Sequence, residues 1–304
     1  MTDGLKYRIE KSIALLRKAE KIAKMYDPEN GFFLAFSGGK DSQALYHIAK
    51  LAGVAFKAHF NPTSVDPPQV IRFIRRQYPD VEFAKLTKSM YTRAIEKKCP
   101  PTRRVRWCCD EYKEATGAGK VTLIGIRHAE SINRSKRNEV ALSSRKFDGD
   151  WSEFEDWRDE LNDGKETEVH CIKGKDSLLV SPIIEWTDRD VWEFLNDVVK
   201  VPHCELYDPP YNQHRIGCVL CPMASRKQHL IEERMFPHVK KKWIETFQTL
   251  IDNGNYVFWG GQFREHGRTL TGEDVYDWWQ SGVGEKEWLD RYLNTPKLFE
   301  DEEL

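Results

Sequence analysis

Six consecutive residues, Ser37-Gly38-Gly39-Lys40-Asp41-Ser42, directly follow the apolar run at 32–36. Adjacent glycines let a backbone come close to an anion, and N–H groups at the start of a following helix can surround phosphate oxygens. Ser37 and Ser42 add hydroxyl donors, and Lys40 can neutralise a transferring phosphate. Asp41 can orient magnesium or a helix-start amide. The spacing is not that of a Walker A loop, which needs a longer run ahead of its Gly-Lys-Ser/Thr.

A second group of reactive types is built from sulfur. Four of the seven cysteines fall into two tight pairs, Cys108-Cys109 and Cys218-x-x-Cys221. Four soft thiolates in two turn-like segments suit an iron-sulfur cluster or zinc in number, with uncomplexed buried or redox thiols as the remaining reading. An odd cysteine total and a charged, signal-free start argue against a disulfide framework and for a cytoplasmic protein. Cys99, Cys171 and Cys204 lack such pairing and are read as small buried apolar residues.

These groups must be held by regular elements. Apolar spacing predicts an amphipathic helix over 5–26, a strand at 32–36, a glycine turn and a helix to 51. Further strands are expected at 54–60, 81–86 and 121–126, with a helix over 89–98. Pro67 and Pro68 suit a helix start. Residues 181–195 read as a short strand, then a helix capped by Thr187 with Asp190 three residues on. The region 229–251 looks helical. Alternation of this kind predicts an α/β, Rossmann-like, mainly parallel sheet with helices on both faces and ligands at the strands' carboxyl ends. The expected division is a core over 1–200, including the N-terminal helix, and a CxxC-bearing, Trp-rich extension over 201–304 packed on it.

With 47 basic and 48 acidic residues, a formal charge of -1 gives no whole-molecule steering toward nucleic acid. Local runs at 72–76, 102–106, 134–137 and 240–242 can form a basic track. The tryptophans near the C-terminus either stack an exposed base or, as the commoner use, form a hydrophobic cap. The segment 148–168, with ten acidic and two basic side chains, reads as a solvated insertion. No apolar run is long enough to span a membrane.

At 37–42 the chain resembles the PP-loop ATP pyrophosphatases. Several downstream motifs extend the resemblance to their phosphoadenosine phosphosulfate reductase-like branch over roughly 30–225. They are Pro101-Thr102-Arg103 before the cysteine pair, Gly125-Ile126-Arg127 with Glu130-Ser131 and Arg134, Ser181-Pro182-Ile183, and Trp186-Thr187 before Asp190-Val191-Trp192. The resemblance implies an adenine nucleotide alpha hydrolase-like fold and cleavage of ATP between its α and β phosphates with Mg2+. Nucleotide contacts then come from residues 37–42, Gly125 and Arg134, with Asp66 as a ribose or base contact. Lys40, Asp41, Arg103 and Arg127 become the catalytic candidates.

The CC plus CxxC pattern resembles that of iron-sulfur adenylyl-sulfate reductases and related PP-loop enzymes, which implies a [4Fe-4S] cluster on Cys108, Cys109, Cys218 and Cys221. Sulfonucleotide reductases use a thiol in a C-terminal Glu-Cys-Gly segment, and this sequence shows none. The better fit is therefore to the ATP pyrophosphatases of DNA phosphorothioation. That resemblance implies activation of a DNA phosphate for sulfur insertion, with a cysteine desulfurase or sulfur relay protein as partner. A sulfonucleotide reductase using an external thiol and a nucleotide-binding module without turnover are the alternatives. Homo-oligomerisation is left open.

Overall fold

The computed structural model describes residues 1–114, 117–142 and 177–294. The acidic segment 148–168, Cys171 and the acidic C-terminal tail lie outside the described residues. The chain divides into two compact units, one of residues 1–86 and 109–217, the other of 87–108 and 218–304. This differs from the expected cut at residue 200, because the segment 87–108 leaves the sheet and joins the C-terminal helices.

The first unit begins with α1 (Asp3–Tyr26), whose N-cap Thr2 accepts a hydrogen bond from Leu5 N–H. Its buried face carries Leu5, Leu15, Leu16, Ala19, Ile22 and Ala23. Its polar Ser12 is buried too, with Oγ 2.6 Å from Pro182 O and accepting Trp186 Nε1–H at 3.1 Å. The helix is thereby tied to the turn beyond the sheet.

Next come β1 (Phe32–Ala35), α2 (Lys40–Ala52), β2 (Phe56–Phe60), α3 (Pro68–Gln77) and β3 (Glu82–Phe83). The strands β4 (Val121–Leu123), β5 (Val140–Leu142) and β6 (Leu178–Val180) complete a sheet of order β3-β2-β1-β4-β6-β5. All pairs are parallel except β5 against β6. Phe33 of β1 registers with Lys57 on one side and Thr122 on the other. The chain thus winds outward from β1 through β2 and β3, then restarts at β4 on the opposite side. That reversal opens a crevice at the carboxyl ends of β1 and β4, where open α/β sheets bind ligands.

Three expectations are corrected. The strand near 81–86 shrinks to two residues. The strand near 181 lies earlier, at Leu178–Val180, and residues 181–184 form a turn closed by Ile184 N–H onto Ser181 O. The antiparallel edge strand β5 was not expected.

The second unit is helical, with helices Met90–Glu96, Arg226–Met235, Pro237–Asp252, Val257–Glu265, Gly272–Ser281 and Glu285–Asn294. The single helix expected over 229–251 is two, since Pro237 has no N–H to continue the first and instead opens the second. The tryptophans are used for packing. Trp243, Trp259, Trp278, Trp279 and Trp288 are all buried, with Trp243 and Trp279 ring centroids 4.7 Å apart and Trp259 stacked on Trp288 at 5.5 Å. No helix among the described residues is long and apolar enough to cross a membrane.

Candidate functional site

The loop between β1 and α2 turns at Gly38, where φ is +74° and a Cβ would stand 2.9 Å from the Ile74 side chain. Glycine is required there twice over, for the left-handed backbone and for the close approach of α3. Ser37 Oγ lies 3.2 Å from Ser42 Oγ, and Ser42 Oγ donates to Gly39 O at 2.9 Å. Gly39, the N-cap of α2, offers no side chain, so the first helical N–H looks elsewhere. Lys40 N–H donates to the Tyr207 hydroxyl at 2.8 Å. Burial pushes the Tyr207 phenol well above its usual range, so it stays a neutral hydroxyl. Trp192 packs edge-on against its ring at 5.0 Å.

Four charges interlock beside this turn. Lys40 Nζ is 3.2 Å from Asp41 Oδ2 and 3.3 Å from Asp188 Oδ1. Arg127, only 2% exposed, donates from Nε to Asp41 Oδ1 at 2.7 Å, from Nη2 to Asp188 Oδ1 at 2.6 Å, and from Nη1 to Trp186 O at 3.2 Å. Two cations thus meet two carboxylates. Partial burial alone would raise the Asp188 carboxyl, but Lys40 and Arg127 outweigh it and hold the group below its ordinary range. Asp188 stands in the first turn of the helix Asp188–Glu193, whose Thr187–Asp190 capping box matches the sequence expectation.

Since this quartet is neutral, the arginines around it decide the local field. Arg134, on the short helix Ile132–Ser135, pairs with Glu130. Burial, then the neighbouring charges of Arg215 and Arg137, push its guanidinium down to about 10. It remains protonated at neutral pH, and the like charges of Arg215 and Arg137 add to the lowering that burial begins. Arg215 is exposed and has no ion pair among the described residues.

The structure therefore brings Ser37, Gly38, Gly39, Lys40, Asp41, Ser42, Arg127 and Arg134 to one sheet edge. Gly125 joins them for packing: a Cβ there would lie 3.0 Å from Asp41 O, so glycine lets the exit of β4 meet the first turn of α2 without displacing it. Asp66 instead closes a local turn, accepting Thr63 N–H at 2.5 Å, and burial raises its carboxyl. Arg103 belongs to the second unit, where Nε donates to Pro222 O at 2.8 Å and Nη2 to Ala224 O at 2.9 Å. It clamps the strand of chain that follows Cys221.

Cys108 and Cys109 lie on the single turn Trp107–Cys109. Cys218 and Cys221 flank a turn in which Leu220 adopts φ 56° and donates its N–H to Glu232. All four thiols are half-buried. Among the described residues no group of three or more His, Cys, Asp or Glu side chains is placed to hold a metal. Both oxygens of Asp41 are already engaged by cations. Cys204 is fully buried, as expected of a small apolar residue, while Cys99 is half-buried.

Sequence reasoning missed Asp188, Tyr207 and Arg215. Asp188 follows a recognisable N-cap, but which first-turn acid faces the crevice depends on where the helix is docked. Tyr207 and Arg215 lie in a turn-rich segment whose course no local pattern defines.

Among solved structures, that of Candida glabrata FMN adenylyltransferase is 16% identical, with 71% of this chain and 62% of that chain covered and a TM-score of 0.44. The same enzyme in complex with FAD and inorganic pyrophosphate is 14% identical, with 71% and 63% covered and a TM-score of 0.44. This chain spans less than two thirds of those proteins' length. The sequence pattern of the phosphoadenosine phosphosulfate reductase domain matches residues 31–224, from the glycine before β1 to beyond the CxxC, and this chain belongs to that family.

Proposed function

We propose that the loop at 37–42 binds the phosphates of an adenosine nucleotide and that the family match favours sulfonucleotide reduction with an external thiol. The observation that carries the reading is Arg215, exposed and without an ion pair among the described residues, close to Arg134 and beside a charge-neutral Lys40–Asp41–Arg127–Asp188 quartet at the carboxyl ends of β1 and β4. In such a reaction a thiolate attacks the sulfate sulfur and the adenosine phosphate leaves with the S–O bonding pair. A second thiol then displaces sulfite and leaves a disulfide. Arg134 and Arg215 balance the leaving phosphate, and Arg127 holds Lys40 and Asp41 in place.

A second reading rests on the CC plus CxxC pattern and its resemblance to phosphorothioation enzymes: α-β cleavage of ATP activates a DNA phosphate, and a desulfurase relay supplies sulfur. Magnesium would then arrive on the triphosphate. The four cysteines, Cys108, Cys109, Cys218 and Cys221, are the proposed [4Fe-4S] ligands on the strength of their pairing alone. Iron and sulfide in stoichiometric amounts after anaerobic purification, lost in Cys218→Ser, would support it, whereas zinc alone would refute it.

One paired assay separates the readings. Release of sulfite from adenylyl sulfate or its 3′-phosphorylated form with a thiol donor, abolished in Asp41→Ala, is the expected result. Pyrophosphate release from ATP that requires DNA and a desulfurase relay, with sulfur entering the DNA and no sulfite signal, would overturn it in favour of the second reading. Nucleotide binding with neither product would leave a nucleotide-binding module.

A further inference from the structure

The second unit contains a cavity of about 360 Å³ that the reading above does not use. This lies within the roughly 300–1,000 Å³ of small-molecule sites. Three loops build most of it, with Pro222 added from the turn after Cys221. The first runs over 98–105, the second includes Asn255 and Tyr256 between two helices, and the third spans 282–285 before the last helix. Trp278 and Trp279, from the helix Gly272–Ser281, complete the wall.

The walls are fixed by identifiable bonds. Trp279 Nε1 donates to Pro101 O at 2.5 Å, and Arg103 clamps Pro222 and Ala224. Gly282, at φ +71°, leaves room for the Arg103 guanidinium, which a Cβ would approach to 3.3 Å. Lys98 and Tyr256 hold left-handed backbone at φ 54° and 62°, an unfavourable conformation for residues with side chains.

What the lining lacks is partners. Trp278 is 8% exposed, and its Nε1–H is buried with no acceptor among the described residues. That N–H is enclosed by the ring's packing against Tyr256 and Trp259, so Trp278 offers the cavity ring surface and not a donor. Lys98 and Arg104 are exposed cations with no carboxylate partner among the described residues, and Glu285 has no cation. The Cys99 thiol, by contrast, donates to Pro100 O at 3.2 Å, and burial raises it, which suits packing rather than nucleophilic attack.

An aliphatic ligand would leave the Asn255 amide and Glu285 unused. A simple anion would use the cations and ignore the aromatic wall. A planar heterocycle carrying a phosphate uses the aromatic wall, the polar groups and the cations, because rings pack on aromatic side chains while the Asn255 amide and the Glu285 carboxylate address a base edge. We propose that this cavity binds one nucleotide unit, its base against Trp278 and Tyr256 and its phosphate at Lys98 and Arg104. The unit is either a free mononucleotide or a nucleotide exposed on a single strand. The assignment does not rest on the reading of the loop at 37–42.

Photocrosslinking of the full chain tests it, because the labelled peptide reports which unit was occupied. The probes are 5-iododeoxyuridine 5′-monophosphate and a short oligothymidylate carrying one 5-iododeoxyuridine. Labelling is expected on peptides containing Tyr256 or Trp278 and should fall about tenfold in the Lys98→Ala/Arg104→Ala double variant. Both side chains are exposed, so the variant should melt as the wild type does. Phe258→Ala, an exposed site absent from the lining, should label normally. Labelling by the monophosphate assigns a free nucleotide, and labelling by the oligonucleotide alone assigns a strand. Labelling confined to other peptides, unchanged in the double variant, or abolished by millimolar inorganic phosphate alone would overturn the proposal.

Discussion

All three nitrogens of Arg127 are engaged inside the first unit, two on carboxylates and one on a backbone carbonyl. A guanidinium so enclosed positions the loop; it has little left to give a ligand. Replacing it by Met removes charged hydrogen bonds to Asp41 and Asp188; Lys40 still pairs with both and water screens the largely exposed Asp188, so the expected cost is about 1–3 kcal/mol. Arg127→Met is therefore expected to lower urea stability by that order. Arg127→Lys should recover part of it, because the charge returns without the fork. Wild-type stability in Arg127→Met would refute the positioning role. Arg134 should behave differently: Arg134→Ala is expected to weaken adenosine-phosphate binding about tenfold, with a stability loss of about 1 kcal/mol as Glu130 loses its partner. The pair of variants separates holding the loop from meeting the anion.

At the scale of elements, the turn from β1 to α2 depends on α3. Gly38→Ala adds both the strain of a positive φ and a Cβ 2.9 Å from Ile74, together expected to cost about 2–3 kcal/mol. Combined with Ile74→Ala, the loss should be less than the sum of the two, because the clash is shared while the backbone strain is not. Strict additivity in denaturation would mean that the α3 contact does not limit the loop. The strand, turn and helix at 32–52 were legible because apolar run, glycines and helical spacing are all local. So was the Thr187 cap, which needs only Asp190 three residues away. The two-residue β3 and the antiparallel β5 were not, since a strand exists only where a partner pairs with it. Nor was the role of Tyr207, which reaches Lys40 N–H across 167 residues. Arg103 shows the same limit: its motif suggested an anion contact, but its guanidinium is bonded to two carbonyls that only the folded second unit supplies.

For the molecule as a whole, acid sensitivity follows from histidines buried in both units. Burial, then the charge of Lys50, pushes His47 down to about 4, and burial also lowers His59 in the first unit and His229 in the second. An unfolded imidazole takes its proton near 6.5. Between about pH 6.5 and pH 4 these imidazoles therefore bind more protons in the unfolded chain than in the fold, and their contribution to stability falls as the pH is lowered through that interval. Asp27, held to about 2 by Lys120 and then by Asn30, acts in a lower window: its contribution is present above pH 3.8 and is lost as the pH drops toward 2. The urea midpoint should thus be flat from pH 8 to 7 and decline from 6.5 to 4. His47→Gln should make that decline shallower by on the order of 2 kcal/mol, a figure reduced for the solvent screening of a partly exposed ring. The wild-type ring also lies 3.0 Å from the Tyr78 hydroxyl, so the variant should start from a slightly lower stability at pH 7.5. A midpoint that stays constant down to pH 4, or a slope unchanged in His47→Gln, would show that the histidines are hydrated enough to titrate normally in the folded chain.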